Sequence, residues 1–189
     1  MHYRLTAALL LTAITLTAGC DKKDPAAPAT STGAGTATPS SGSHALAPAL
    51  PESLFLAAAP EGAKDVKAAK AGAKQGDQVV LVGRIGGREE PFVAHRAIFQ
   101  LVDPAMPACS DNAADTCKTP WDYCCEDPAD VSASSATIQV VDPSGAPLKI
   151  DLKDAHGLKP LSRIIVVGTV ASADAGNIVV NATGIYVGG

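Results

Sequence analysis

The chain carries the sequence RIIVVGTVA at residues 163–171 and the sequence IVVNATGIYV at residues 178–187, with DAGN between them at 174–177. Both segments are rich in Val and Ile, whose branched side chains favour strands, while Asp, Gly and Asn favour turns. The first segment has Gly168 in its interior, where a strand can bend. These segments predict two β-strands near the C-terminus, joined by a turn.

Four further segments of the same kind precede these two strands. They are QVVLVGRI at 78–85, AIFQLVD at 97–103, ATIQVVD at 136–142 and the alternating LKIDLK at 148–153. Gly83 predicts a bulge or bend in the first of them. Six strand candidates at short spacing, joined by Gly, Pro and Asp turns, favour a small antiparallel barrel or sandwich over a βαβ fold.

Four stretches together resemble an OB-fold: VVLVGRI, VVDPSGAPLKIDL, LKPLSRIIVVGTV and GNIVVNATGIYV. Their glycines stand where a closed barrel must bend its strands. The resemblance covers residues 76–189 and implies an all-β fold, a small OB-fold-like antiparallel barrel of five to six strands. Because an OB barrel has five strands, one of the six candidates lies outside it, and the sequence leaves open which one.

Residues 1–19 predict a lipoprotein signal peptide. The uncharged run LTAALLLTAITLTA at 5–18 is too short to span a bilayer comfortably and suits the apolar part of a signal peptide. The run ends in LTAGC at 16–20, which resembles the bacterial lipobox and implies lipidation of Cys20 with cleavage before it. The alternative is an ordinary secretory signal. A lipidated Cys20 places the protein in the cell envelope, anchored to a membrane, and leaves inner and outer membranes both open.

The composition divides the remainder of the chain into three parts. Residues 20–53 are rich in Pro, Ala, Ser, Thr and Gly and have no periodicity, so we expect a disordered tether. Residues 54–75 hold a short apolar patch and a predicted Ala/Lys-rich helix that runs from Pro60 to Lys74. Residues 76–189 make up the β domain.

The β domain contains a long loop at residues 104–135, called the cysteine loop below. It includes CSDNAADTCKTPWDYCCE at 109–126, with the four cysteines Cys109, Cys117, Cys124 and Cys125. A loop of this length in a compact domain needs a stabilising feature. Lipidation of Cys20 leaves these four cysteines, an even number, and in an oxidising envelope the default is two disulfides.

Two disulfide pairings remain open. Adjacent Cα atoms lie about 3.8 Å apart, below the about 4.4–6.8 Å of a usual disulfide, which disfavours a Cys124–Cys125 bridge. Cys109 then pairs with one of these two and Cys117 with the other. Four thiolates would also suit zinc, but the C-x2–4-C spacing of zinc knuckles is absent. Disulfides are therefore preferred, and no metal or cofactor is assigned.

The cysteine loop is also acidic, because seven carboxylates accompany the single Lys118 between residues 103 and 130. A solvated acidic surface is preferred over a calcium site since the EF-hand spacing is absent, and the charge argues against nucleic acid. An extended backbone would alternate successive side chains between two faces. The candidate binding surface consists of Trp121, Asp122, Tyr123 and Glu126, with Trp121 and Tyr123 on one such face.

Motifs of catalysis are absent from the sequence: it has no nucleophile elbow, no H-E-x-x-H, no P-loop and no G-x-G-x-x-G. His95 and His156 are isolated. We therefore expect a non-enzymatic envelope lipoprotein, a binding or structural module that presents its disulfide-stapled acidic loop to an envelope protein or a small ligand. The alternatives are a metal-binding lipoprotein that uses this loop, and an OB module for oligonucleotides or glycans.

A second resemblance rests on a combination of motifs along the chain. The lipobox-like LTAGC, the low-complexity tether, VGRIGG, AIFQLVDP, TPWDYCCE and VVNATGIYV occur in this order. The combination is similar to a group of planctomycete lipoproteins to which no activity is assigned. It covers most of the mature chain and implies a location and an architecture only.

Overall fold

The computed structural model describes residues 49–174 and 176–188. The predicted signal peptide, the predicted lipidation site Cys20 and residues 20–48 of the predicted tether lie outside them. No helix in the described ranges combines the length and the apolar character that crossing a bilayer requires.

The described residues are mostly sheet, which confirms the all-β prediction at that level. They contain six strands and two short α-helices. In chain order these are β1 Lys64–Asp65, α1 Val66–Lys70, β2 Gln78–Ile85, β3 Ile98–Val102, α2 Pro128–Ala133, β4 Ser135–Gln139, β5 Arg163–Asp174 and β6 Asn177–Val187, with 3-10 turns at Glu52–Leu54, Cys109–Asp111 and Ala155–Gly157.

Five of the strands close into a ring in the order β2, β3, β4, β6, β5 and back to β2. The β4–β6 pair is parallel, and the other four pairs of the ring are antiparallel. The closing pair is β2–β5, whose register runs from Gln78 opposite Thr169 to Arg84 opposite Arg163. The two-residue strand β1 lies outside the ring and pairs in parallel with β2 at Leu81 and Val82.

The longest hairpin, β5–β6, has a register irregularity beside Gly168. The register between the two strands shifts between Val167 and Gly168. A side chain at Gly168 would collide with the backbone carbonyl oxygen of Asn181, so the close approach requires glycine there. The residue without a partner at this irregularity is Thr183 of β6, so the bend predicted at Gly168 itself stays a prediction.

The core lies inside the ring and is built from Val, Ile, Leu and Ala with two phenylalanines. Alternate residues of each strand face inward, which is the arrangement a two-residue side-chain period produces. The buried ring residues include Leu81, Ile85, Phe99, Leu101, Ile138, Ile164, Val166, Val170, Ile178, Val180 and Ile185.

The strand predicted at residues 148–153 is wrong. The N–H of Leu148 donates to the carbonyl of Val140 at 2.9 Å, and the carbonyl of Leu148 accepts from the N–H of Ala97 at 2.8 Å. The chain then leaves the sheet. Leu152 is nonetheless 1% exposed and belongs to the core. Apolar and polar residues alternate in this segment because its side chains are alternately buried and exposed, although the segment forms no strand. Of the six strand candidates, this segment is the one that lies outside the ring.

The helix predicted from Pro60 to Lys74 is shorter in the structure. Only Val66–Lys70 is helical, because Lys64 and Asp65 pair with the free edge of β2 instead. The short helix is fixed from outside: the backbone N–H of Lys67 donates to the buried Asp103 carboxylate at 2.8 Å, and Val66 is fully buried. Tertiary packing therefore decides the extent of this helix, in preference to its Ala/Lys propensity.

The apolar patch before β1 packs on the end of the ring. Leu54 is 3% exposed, and the backbone N–H of Leu56 donates to the carbonyl of Ile185 at 2.9 Å. The ring of Phe55 stacks on His156, with centroids 3.8 Å apart. Since the 3-10 turn Glu52–Leu54 already belongs to this packing, the last two residues of the predicted tether, residues 52–53, are part of the folded domain.

We expect Val66→Ala to lower the free energy of unfolding by about 2 kcal/mol, because it removes two buried methyl groups and leaves a cavity. Val93→Ala makes the same chemical change at a side chain that is 36% exposed, and should stay within about 0.5 kcal/mol of the parent. Denaturant titration of both variants measures the difference. Equal effects would show that α1 is not part of the core.

Candidate functional site

The cysteine loop, residues 104–135, connects β3 to β4 and folds back onto the ring. The backbone N–H of Asp103 donates to the carbonyl of Ser134 at 2.8 Å, which joins the two ends of the loop. The loop contains α2, which the sequence analysis did not predict. The signal was present: Asp127 caps the helix by accepting from the N–H of Ala129 at 2.7 Å, and Pro128 occupies the first turn.

A small second core anchors the loop. Tyr123 is 1% exposed and packs with Val102, Ala108 and Val131. Its backbone has φ +61°, in the left-handed region, and its buried hydroxyl has no hydrogen-bond partner among the described residues. Burial raises the pKa of this phenol above its usual value. Tyr123 therefore anchors the loop, and its assignment to the candidate binding surface stays a prediction.

An ion pair fixes the first part of the loop to β2. The Arg84 guanidinium donates to both carboxylate oxygens of Asp111, at 3.0 and 2.9 Å, and also to the carbonyl of Met106 at 3.0 Å. The hydrogen bond from Arg84 lowers the pKa of Asp111, and the same bond raises the pKa of Arg84. Two parallel hydrogen bonds fix both the distance and the relative orientation of the guanidinium and the carboxylate. The loop is therefore held in a defined orientation at Asp111.

Trp121 holds the second part of the loop against the connection between β2 and β3. Its carbonyl accepts from the N–H of Gly87 at 2.8 Å, and its indole N–H donates to the carbonyl of Glu89 at 2.8 Å. A Cβ atom on Gly86 would lie 2.6 Å from the Trp121 carbonyl oxygen and 2.8 Å from the Tyr123 ring. The approach of the two segments therefore depends on glycine at position 86.

The four sulfurs of the loop form one cluster. The Sγ–Sγ distances are 3.5 Å for Cys117–Cys124, 3.6 Å for Cys109–Cys125, 3.8 Å for Cys109–Cys124 and 4.0 Å for Cys124–Cys125. A disulfide has an S–S distance of about 2.05 Å. All four described cysteines are free thiols in the structure, so the two disulfides inferred from the sequence stay a prediction.

Two similar turns direct the cysteines into the cluster. The carboxylate of Asp115 accepts from the N–H of Cys117 at 2.7 Å, and that of Asp122 accepts from the N–H of Cys124 at 2.8 Å. Together with the positive φ of Tyr123, the second turn curls the chain at this point. The alternation of faces expected for an extended segment is therefore wrong, because Cys124 and its neighbour Cys125 both reach Cys109.

Two thiols of the cluster, those of Cys124 and Cys125, resist ionisation. Hydrogen bonds from neighbouring sulfurs, first that with Cys117 and then that with Cys109, raise the pKa of Cys124 far above its usual value. For Cys125 the hydrogen bond with Cys109, followed by that with Asp115, raises the pKa to about 11. Crowded thiols and nearby carboxylates disfavour negative charge, so without a cation these two groups stay protonated at neutral pH.

A cavity of about 450 Å³ lies between the cysteine loop and the outside of the ring. The ring contributes the connection after β2, one residue each of β3 and β4, and the start of β6, while the loop forms the opposite wall. Its lining is Gly87, Arg88, Gln100, Asp122, Tyr123, Cys124, Glu126, Pro128, Val131, Ser132, Thr137 and Asn177. Of the candidate surface residues, Asp122, Tyr123 and Glu126 thus line this cavity. Trp121 is not among the lining residues, and its indole N–H instead donates to the carbonyl of Glu89.

The lining side chains are largely positioned by other protein groups. Arg88 donates to the side-chain oxygen of Gln100 at 2.7 Å, and Asp122 accepts from the hydroxyl of Thr119 at 2.7 Å. The cavity therefore offers one cation, two carboxylates, and the hydroxyl and amide groups of Ser132, Thr137 and Asn177. A second cavity of about 430 Å³ lies between α1 and β2. Its lining consists of Gly, Ala and Val residues with the polar residues Lys64, Asp77 and Gln78, fewer polar side chains than in the first cavity.

The two histidines singled out in the sequence lie elsewhere. The imidazole of His95 lies 3.2 Å from a carboxylate oxygen of Asp151, but the two side chains are 90% and 55% exposed. His156 stacks on Phe55 at the end of the ring. Neither histidine lines the cavity beside the cysteine loop.

Comparison of the chain with protein-family models, with curated proteins and with solved structures finds no match.

We expect Gly86→Ala to lower the free energy of unfolding by about 2 kcal/mol, because the added methyl group displaces the Trp121 carbonyl and the Tyr123 ring. Gly72→Ala is the matched control, since nothing lies within 4 Å of a Cβ atom at that position, and it should change stability by less than about 0.5 kcal/mol. Thermal unfolding of both variants compares them. A fully stable Gly86→Ala variant would contradict the observed docking of the loop.

Proposed function

We propose that the protein is a non-enzymatic, membrane-anchored lipoprotein of the cell envelope, whose β domain is an OB-fold that binds a small, neutral, hydroxyl-rich ligand such as a sugar. The binding site is the cavity between the ring and the cysteine loop. In this proposal the acidic loop is one wall of the site, and Cys20 is the anchor.

The connectivity of the ring supports the OB-fold. Strands β2, β3 and β4 are consecutive neighbours, and β5 returns to lie beside β2, which is the order of a Greek key. Strand β6 then closes the ring between β4 and β5. An OB-fold is a five-stranded Greek-key barrel, so the order of the strands and their number both agree with it.

The position of the cavity carries the proposal. OB-folds bind ligands on the face of their second and third strands and on the loops after the first strand and before the fifth. In this chain those parts are β3, β4, the connection after β2 and the turn before β6. They contribute Gln100, Thr137, Arg88 and Asn177 to the cavity.

The charge and chemistry of the lining favour a neutral ligand. One arginine faces two carboxylates, and the arginine is already hydrogen-bonded to Gln100. A strand of nucleic acid needs a positive groove for its phosphates, which this balance does not provide. Hydroxyl and amide groups on β3, β4 and α2 instead match the hydrogen-bonding pattern of a sugar.

The location rests on the lipobox-like LTAGC and the low-complexity tether, residues 20–53. Such an arrangement would hold the domain at a distance from the membrane that carries the lipid. Exposure to the envelope would give the cavity access to envelope sugars.

The experiment is calorimetric titration of the full chain, purified in a detergent without a sugar headgroup, with chitotetraose, cellotetraose and maltotetraose. We expect at least one tetrasaccharide to bind. Thr137→Val removes one hydroxyl from the cavity at nearly constant shape and should weaken that binding about tenfold, equivalent to about 1.4 kcal/mol. Thr183→Val, on the exposed side of β6, should leave it unchanged.

Absence of binding by all three sugars at millimolar concentration would contradict the proposal. So would tight binding of a twelve-nucleotide thymidine oligomer, which would show that phosphate recognition outweighs the acidic wall.

A further inference from the structure

We infer that Cys109, Cys117, Cys124 and Cys125 form a tetrathiolate site for a thiophilic divalent cation, of the class of Zn²⁺. The inference goes beyond the proposed function, because the sulfur cluster would hold the loop whether or not the cavity binds a sugar.

The distances between the sulfurs match those of a tetrahedral thiolate site. Zinc binds cysteine sulfur at about 2.3 Å in tetrahedral geometry, so neighbouring sulfurs lie about 3.8 Å apart. The four sulfur–sulfur distances between 3.5 and 4.0 Å scatter around this edge length. These are four of the six sulfur–sulfur distances of the cluster. The Cys109, Cys117 and Cys124 sulfurs lie within 4.8 Å of one another together with a carboxylate oxygen of Asp122, while the Cys125 sulfur forms a second such group with Cys109 and Asp115.

The two shortest sulfur–sulfur distances, Cys117–Cys124 at 3.5 Å and Cys109–Cys125 at 3.6 Å, correspond to one of the two open disulfide pairings, but neither is a bonding distance. Two disulfides would give each sulfur one partner at about 2.05 Å. In the structure Cys124 has three sulfur neighbours within 4.0 Å, and Cys109 has two within 3.8 Å. Such shared proximity is the arrangement expected when several sulfurs face one central cation.

The backbone presents the ligands from separate short turns. Cys109 is buried at the start of a 3-10 turn, and its N–H donates to the carbonyl of Pro120 at 3.2 Å. Asp115 and Asp122 fix the turns at Cys117 and Cys124. The fold thus brings together cysteines whose spacing in the sequence lacks a zinc knuckle, and it explains why spacing alone did not indicate a metal.

The chemistry of the site selects a soft cation. Binding would proceed as M²⁺ plus four Cys–SH giving a tetrathiolate complex of charge −2 and four released protons, with no change of oxidation state. Sulfur ligands favour zinc and other soft metals over Ca²⁺ or Mg²⁺. The carboxylate of Asp115 lies 3.4 Å from the Cys125 sulfur and can accept a hydrogen bond from that thiol when no cation is bound.

A bound cation would stiffen the wall of the cavity. Cys124 belongs both to the cluster and to the cavity lining, directly after Asp122 and Tyr123. Linking it to Cys109 and Cys117 would join three parts of the loop around one point. The metal would therefore stabilise the wall of the sugar-binding cavity without contacting the bound sugar.

The test uses the full chain, purified in detergent without oxygen, reductant or chelator. Metal content is measured by mass spectrometry, and one equivalent of Co²⁺ is added to metal-free protein. We expect one metal ion per chain, and with cobalt the thiolate-to-metal charge-transfer band and the visible bands of a tetrahedral site. In denaturant with chelator, and without reductant, all four loop cysteines should alkylate, as read from the loop peptide.

Cys109→Ser and Cys117→Ser should each weaken cobalt binding at least tenfold, while Ser110→Ala, at the exposed neighbour of Cys109, should not. Metal content, the cobalt spectrum and alkylation are measured on the chain without substitutions. They therefore test the inference even if a cysteine variant fails to fold. Loop cysteines that alkylate only after reduction would mean two disulfides and would overturn the inference. Free thiols that bind neither zinc nor cobalt would overturn it equally.

Discussion

The pairing of β2 with β5 is the constraint on which the other features of this domain depend. Without it the five strands would form an open sheet with two free edges; with it they form a ring around one core. Strand β2 is then bordered by β5 on one side and by β3 and the short β1 on the other. This closure fixes where the connection after β2 emerges, and that connection is where the cysteine loop docks.

The loop is added to the ring by a small number of directional contacts. Arg84 holds Asp111, the carbonyl of Trp121 accepts from Gly87, and Tyr123 fills the second core. Each contact lies on the side of the loop that faces the ring. Acidic side chains take part in this packing, because Asp111 pairs with Arg84 and the cavity is lined by Asp122 and Glu126. A long irregular segment becomes a defined wall in this way, and the cavity exists because the wall stands at a fixed distance from β3 and β4.

The cluster of cysteines and the cavity share residues, so the stability of the loop and the shape of the binding site are linked. Asp122 illustrates this link: its carboxylate accepts from the N–H of Cys124 and from the Thr119 hydroxyl, and it also lines the cavity. A change in how the sulfurs are held would therefore alter the ligand site without any change in the ring itself.

The strands could be predicted from the sequence because their signal is local. The segment 78–85 matches β2 at both ends, and β-branched residues identify β5 and β6. The segment 148–153 shows the limit of that signal. Leu148 and Leu152 both pack toward the core, but the segment does not form a strand, although Leu148 itself makes two backbone hydrogen bonds. The helix over 60–74 failed for a related reason: Lys64 and Asp65 follow the free edge of β2, which local propensity does not record.

The candidate site was only partly predictable. The cysteine loop and its acidic residues are visible in the sequence, but the cluster of sulfurs depends on two Asp-directed turns and on the left-handed conformation of Tyr123. The cavity depends on the register that brings Gln100 of β3 and Thr137 of β4 side by side. Both are consequences of tertiary pairing, which residue spacing does not encode.

The contacts described above hold the cysteine loop firmly against the ring. Amide hydrogen exchange, resolved at single residues, tests it most directly at Gly87 and Cys109, whose N–H groups donate to the carbonyls of Trp121 and Pro120. If the loop is fixed, these two amides should be protected from exchange almost as strongly as the amides of the β2–β5 pair. Exchange of both at the rate of an unstructured peptide, beside a protected β2–β5 pair, would contradict it.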